Sequence, residues 1–254
     1  DAGVKMISYD VLVEHPDALY VTFDNVGVGR LMASTMLEKG RQDGNFAFIK
    51  GDKGDPNATF LFQGIMEVLK PNIDAGKIKN VCETFTDGWK PDAAQKNMEQ
   101  CLTSVNNKVD VVISENDGMA GGVVAALEAQ GLAGKVPVSG QDAEQAALNR
   151  VALGTQSLTV WKDARELGKA AGEAAVALCS NPDASAISGA APFTTPGGNS
   201  ISSIFMVFSY QVSMLGRFLA VRGGGGGAAA NRAEIQRRVS AGSMMPSSHR
   251  RAVA

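Results

Sequence analysis

The residues able to do chemistry in this chain gather where apolar runs end. Asp10 follows the run 6–9, Asp52, Asp55 and Asn57 follow 46–49, and Thr86, Asp87 and Trp89 follow 79–85. Glu115, Asn116 and Asp117 follow 109–114, Gln141 and Asp142 follow 135–139, and Lys162 follows 157–161. The set holds carboxylates, amides, one tryptophan and one lysine, with neither histidine nor cysteine. A carboxylate accepts hydrogen bonds from two hydroxyls, and an amide offers both a donor and an acceptor to neighbouring hydroxyls. Charge on the acceptor strengthens such bonds. A tryptophan face packs on the C–H side of a sugar ring while its N–H edge stays polar. The chemistry suits reversible binding of a neutral polyhydroxylated molecule better than turnover.

Each residue also has a plainer reading. Asp and Asn after strands are ordinary helix caps and turn formers, and that reading is favoured for Asp92 and Asp117. A single tryptophan is more often core, and a single lysine a solvated charge. Asn116 and Asp142 resist this reading because they stand beside other ligand-like groups.

Catalytic residues, a metal and a cofactor are not expected. The only histidines are His15 and His249, which leaves little support for a zinc site or a Ser-His-Asp triad. Gly27-Val28-Gly29 lacks the third glycine of a dinucleotide fingerprint, Met32 standing in its place. Gly51-Asp52-Lys53-Gly54-Asp55 lacks the Gly-Lys-Ser/Thr ending of a phosphate loop, and its acids repel phosphate. Asp55 with Asp142 as an acid–base pair is a minor alternative. Cys82, Cys101 and Cys179 are too few, and odd in number, for a disulfide scaffold. A net charge of −2 argues against a nucleic-acid partner.

The elements that position these groups alternate along the chain. Strands are expected at 6–9, 18–23, 46–49, 79–85, 109–114, 135–139 and 157–161. Helices are expected from Asp24 or Asn25 to Lys39, from Asn57 to a stop at Pro71, and from a cap at Asp92 through the stripe Ala94, Met98, Cys101, Leu102 and Val105. Further helices cover 117–130, 143–153 and 163–178. This order implies an α/β fold, a parallel β-sheet with helices on both faces, and ligands then sit at the carboxyl ends of the strands. Residues 181–198 read as loop with one short strand, and 201–216 are too short and too polar for a membrane span. From Arg217 onward there are seven arginines, no lysine and one acid, Glu234, with five consecutive glycines at 223–227.

Several stretches carry a resemblance. They are Ile7-Ser8-Tyr9-Asp10, Thr22-Phe23-Asp24-Asn25, Asp55-Pro56-Asn57-Ala58, Asp87-Gly88-Trp89, Asn116-Asp117, Ser139-Gly140-Gln141-Asp142-Ala143 and Thr159-Val160-Trp161-Lys162. In order and spacing the chain resembles the periplasmic binding protein type I family of bacterial sugar ABC importers, the xylose branch more than the ribose or galactose branches. The resemblance implies a two-lobed receptor that closes over a monosaccharide and presents it to a membrane ABC permease. It implies that Asp55, Asn57, Trp89, Asn116, Asp142 and Lys162 face the sugar, with Asp10 at the edge of the site. It also implies a periplasmic or extracytoplasmic location, although residues 1–5 lack the basic and apolar regions of an export signal.

On this resemblance, residues 1–17 are a remnant of the first lobe, 18–160 the sugar-binding second lobe, 161–205 a return helix and closing segment, and 206–254 an unrelated, disordered basic tail. Crossovers between the lobes are expected near Tyr20, near Lys162 and after Ser180. The alanine-rich face of the return helix is expected to stay exposed, since the lobe it packs on is largely missing. Val11 occupies a position where the family usually carries an arginine. The alternatives are the effector-binding domain of a LacI-type regulator, for which no helix-turn-helix is seen, and a sugar hydrolase on the same scaffold.

Overall fold

The computed structural model describes residues 4–39, 41–206 and 209–213. The elements run β1 Met6–Tyr9, β2 Ala18–Phe23, α1 Asn25–Lys39, β3 Gly44–Lys50, α2 Pro56–Asp74, β4 Ile78–Phe85 and a 3-10 turn at Asp87–Trp89. They continue with α3 Pro91–Ser104, β5 Val111–Ser114, α4 Asp117–Ala129, α5 Gln145–Leu153, β6 Leu158–Lys162 and α6 Ala164–Ser180. A second 3-10 turn at Ala184–Ala186 leads to β7 Ala191–Thr194, β8 Ser200–Met206 and β9 Ser209–Ser213.

Strands β4, β3 and β5 form a parallel sheet in that order. Single bridges, Val112 to Val138 and Gln141 to Val160, carry the pairing across to β6, and β9 closes the edge antiparallel to β6. Successive side chains of a strand point to opposite faces, and both faces here are covered. Phe46, Phe48, Val111 and Ile113 pack with Met32, Leu61 and Ile65 of α1 and α2. Ala47, Ile49 and Val112 pack with Met98, Val123 and Leu127 of α3 and α4. Neither face of β5 meets water, so it reads as an unbroken apolar run rather than an alternating one, whereas the edge strand β4 exposes Lys79, Asn80 and Glu83.

A second sheet has the order β1-β2-β8-β7, with β1, β2 and β8 parallel and β7 antiparallel. Helix α6 lays Leu167, Ala174 and Leu178 on Leu19, Val21 and Phe23 of β2. The face expected to be bare is therefore partly covered: Ala170 and Ala171 pack at its margin, while Val176 stays 70% exposed.

Local differences from the sequence reading have physical causes. Helix α2 continues through Pro71 to Asp74, because the proline sits on an exposed face near the last turn and removes one hydrogen bond there. Helix α3 begins after Lys90 with Pro91 at its first position, and Asp92 lies inside the first turn rather than capping it. Residues 135–139 touch the sheet through one bridge instead of a full ladder. Strand β2, expected to open the second lobe at Ala18, pairs with β1 and β8, so the change of sheet falls after Phe23. The crossover expected after Ser180 lies between β8 and β9. Of the span 206–254, Met206 ends β8 and Ser209–Ser213 form β9; the rest lies outside the described residues. Cys82 of β4 and Cys101 of α3 are joined as a disulfide with 5.9 Å between their Cα atoms, and Cys179 is free and exposed.

Candidate functional site

The strand-end residues form two connected groups. In the first, Asp10 ends β1 with φ of 62°, a left-handed conformation that Asp tolerates better than most residues. Its carbonyl accepts from the Thr22 hydroxyl at 2.9 Å, the Tyr20 hydroxyl at 3.3 Å and Asn57 Nδ2 at 3.4 Å. Its carboxylate Oδ1 is buried and has no partner among the described residues. Asn57 Oδ1 accepts from Asn25 Nδ2 at 2.9 Å, so both ends of this amide are already held.

Asp55 does two jobs. Its Oδ1 caps α2 by accepting from the Asn57 N–H at 2.9 Å, and its Oδ2 accepts from Trp89 Nε1 at 3.1 Å. The indole lies directly on Gly51, where any Cβ would collide with the ring. Trp89 is thus fixed along its edge and across one face.

The second group is Asp142 with Lys162. The carboxylate Oδ1 lies 3.4 Å from the ammonium, which also sits 5.5 Å from the centre of the Phe23 ring. Among the described residues no hydrogen bond or ion pair joins this pair to the first group; Phe23, at the end of β2, packs with Leu19, Val21 and Leu167.

Asn116 follows β5 and, among the described residues, bonds to neither group. It caps α4, its Oδ1 accepting from the Met119 N–H at 2.8 Å, while its Nδ2 makes no hydrogen bond to the described residues. One end of the amide thus serves the helix cap, while its donor end stays uncommitted among the described residues. Its flanking carboxylates are both fully buried. Glu115 Oε2 accepts from the Gly51 N–H at 2.6 Å, and its Oε1 has no partner among the described residues. Asp117, read from sequence as a cap, is instead a buried acceptor for Thr159 and Gln156. Sequence reading also passed over Asn25 and Tyr20 as supports of Asn57. The available signal was the cluster of polar residues inside apolar stretches, such as Thr159 in β6 and Tyr20 in β2, which cannot be buried without partners.

Burial shapes the electrostatics here. It pushes the Tyr20 hydroxyl up to about 12, which keeps it a neutral donor. It also pushes the Glu115 carboxyl well above the usual carboxylate range, against the opposing bond from Gly51. A raised folded-state value means that the stability linked to the protonated form is complete below the ordinary glutamate range. It is lost as pH rises toward the folded value. Wild type should therefore lose stability relative to Glu115→Gln between pH ~5 and ~8 in urea unfolding, since that window lies above the ordinary glutamate value. An unchanged difference across that range would show that Glu115 does not titrate there. Among the described residues no cluster of three or more His, Cys, Asp or Glu side chains could hold a metal.

The sequence profile of the family described as "Periplasmic binding protein domain" matches residues 1–183. The chain is 46% identical over 177 residues to the D-xylose-binding periplasmic protein of Escherichia coli (strain K12), covering 69% of this chain and 53% of that protein. It is 43% identical over 180 residues to the D-xylose-binding periplasmic protein of Haemophilus influenzae, covering 70% and 54%. The chain spans about half the length of the curated relatives it matches. Among solved structures, a carbohydrate transporter solute binding protein from Chloroflexus aurantiacus in complex with D-glucose superposes with a TM-score of 0.73 at 30% identity. That superposition covers 84% of this chain and 69% of the other.

Proposed function

Because the chain belongs to the periplasmic binding protein domain family, we propose that it is the sugar-binding part of an ABC-importer receptor. It binds D-xylose or a similar monosaccharide without covalent chemistry and presents it to a membrane permease on the extracytoplasmic side. The fixed indole of Trp89 carries this reading: held by Asp55 and seated on Gly51, it offers a rigid apolar platform on the strand-end rim. That rim also bears the Asp10 carboxylate, the Asn116 amide and the Asp142–Lys162 pair. A neutral ring with several hydroxyls matches one apolar face surrounded by charged acceptors and amide donors. The D-xylose-binding relatives support xylose as the first ligand to try.

The two sheets exchange the chain at β2–α1, at β6–α6 and at β8–β9. Such crossovers are where a hinge closes two lobes over a ligand. Val11 offers no planar set of donors at the position where an arginine is usual, so affinity is expected to be weaker than with that arginine present.

Isothermal titration calorimetry with D-xylose, using D-glucose and D-ribose as controls, tests the proposal. Saturable heat with xylose, and weaker or no heat with the controls, is expected. A folded sample that gives no heat with any of the three sugars overturns it.

A further inference from the structure

Between Gly140 and Glu144 the backbone takes a path that its side chains oppose. Asp142 has φ of 98° and Ala143 has φ of 55°. Two consecutive non-glycine residues in this region store strain and persist only where neighbours hold them. The turn matters because it carries the Asp142 carboxylate that meets Lys162.

Asp117 supplies the hold. Its N–H donates to the Gln141 carbonyl at 3.0 Å. Its Oδ2 accepts from the Glu144 N–H at 3.1 Å and from the Thr159 hydroxyl at 2.7 Å. The same Thr159 oxygen accepts from the Ala143 N–H at 3.0 Å. Its Oδ1 accepts from Gln156 Nε2 at 2.7 Å. Gly140 lies against both the Asp117 carboxylate and the Gln156 amide, with no room for a Cβ. Residue 141 is thus tied to the Asp117 backbone, and residues 143 and 144 to its side chain, through the Thr159 hydroxyl and directly. Every group aimed at the carboxylate is a donor, so only a group accepting on both oxygens satisfies them all.

We propose that Asp117, working through Thr159, is a positioning residue for sugar recognition, holding the strained turn 140–144 so that Asp142 presents its carboxylate to the ligand. This rests on the sugar-binding reading above. The charged groups around Asp117 are Arg150 of α5, which donates to the Asp117 carbonyl at 2.6 Å, and Asp142 and Glu144 of the turn itself. Arg150 also donates through Nε to Gln156 Oε1 at 2.9 Å, which fixes the amide so that its Nε2 faces Asp117. Burial pushes the Asp117 carboxyl up to about 7, against the bonds from Thr159, Gln156 and Glu144. Its acceptor form therefore fills as pH rises through neutrality, and sugar affinity should rise with it.

The test compares wild type with Asp117→Asn, Thr159→Val and Thr159→Ser. Two readouts are taken on the full chain: amide hydrogen exchange at Ala143 and Glu144 without ligand, and calorimetric affinity for D-xylose between pH ~6 and ~8, a window spanning the Asp117 titration. Asp117→Asn and Thr159→Val should each speed exchange at these amides and weaken xylose binding about tenfold, the scale of one lost buried hydrogen bond. Thr159→Ser keeps the hydroxyl and should retain both properties. Asp117→Asn should flatten the pH dependence of affinity. If Asp117→Asn does not fold, the valine and serine variants carry the test. Unchanged exchange in folded Asp117→Asn and Thr159→Val, or a serine variant as impaired as the valine one, overturns the proposal. If exchange responds as expected but wild type binds no xylose, the turn-holding role stands and the sugar-binding reading fails.

Discussion

Replacing Trp89 with alanine should weaken D-xylose binding by about thirtyfold or more, the scale of a central tryptophan anchor in a binding site. The indole is half-buried, touches core residues of both helical layers and covers Gly51. Truncation therefore removes the platform and also leaves a cavity, and large aromatic-to-alanine changes in a packed setting destabilise by about 3–5 kcal/mol. Trp89→Phe separates the two effects. It keeps an aromatic face and most of the volume but loses the N–H that reaches Asp55 Oδ2 at 3.1 Å. Phenylalanine should thus recover most of the stability while binding with intermediate affinity. Calorimetry with xylose, beside urea unfolding of each variant, reads both quantities. Wild-type affinity in Trp89→Ala would remove the indole from the site.

Reducing the Cys82–Cys101 disulfide should lower stability by about 3 kcal/mol, the loop-closure contribution for a segment of this size. The two cysteines are 19 residues apart, and the segment between them contains the whole Asp87–Trp89 turn. The bond joins β4 to α3 on either side of Trp89, so it constrains the element that delivers the indole. Reduction should consequently lower the urea midpoint and weaken xylose binding together. Paired Cys82→Ala and Cys101→Ala changes should reproduce the reduced wild type. A reduced sample with an unshifted midpoint would show that core packing alone holds β4 to α3.

Much of the fold could be read along the chain because the signals are local. The apolar run at 111–113 has no polar alternation, which marks a strand covered on both faces, and Ile113 and Val112 indeed face different helical pairs. The helix start placed at Asp24 or Asn25 follows the same logic, the Asp24 side chain accepting from the Gly27 N–H in the first turn of α1 at 2.8 Å. Helix ends were less legible where the deciding term is not local. At Pro71 the exposed position lets the helix continue, and exposure is a property of the assembled molecule.

The seven residues that the resemblance selects all lie among the strand-end groups readable from type and order, as the parallel sheet and its two helical layers were also readable. These follow from backbone periodicity and from the rule that ligands meet the carboxyl ends of parallel strands. What each carboxylate does was decided by tertiary structure. Glu115, Asn116 and Asp117 are adjacent in sequence, and residue type and order favour Asp117 over Asn116 as the cap. In the fold, Asn116 alone caps α4, while Glu115 and Asp117 are turned inward to Gly51 and to the 140–144 turn. Their partners lie 64 and 27 positions away in the chain. Desolvation and donor geometry at such distances are set only once the strands pair, and so is the Cys82–Cys101 bond. Residue types carry the chemistry of this site, while the assignment of each group to ligand, cap or support depends on contacts that chain order does not encode.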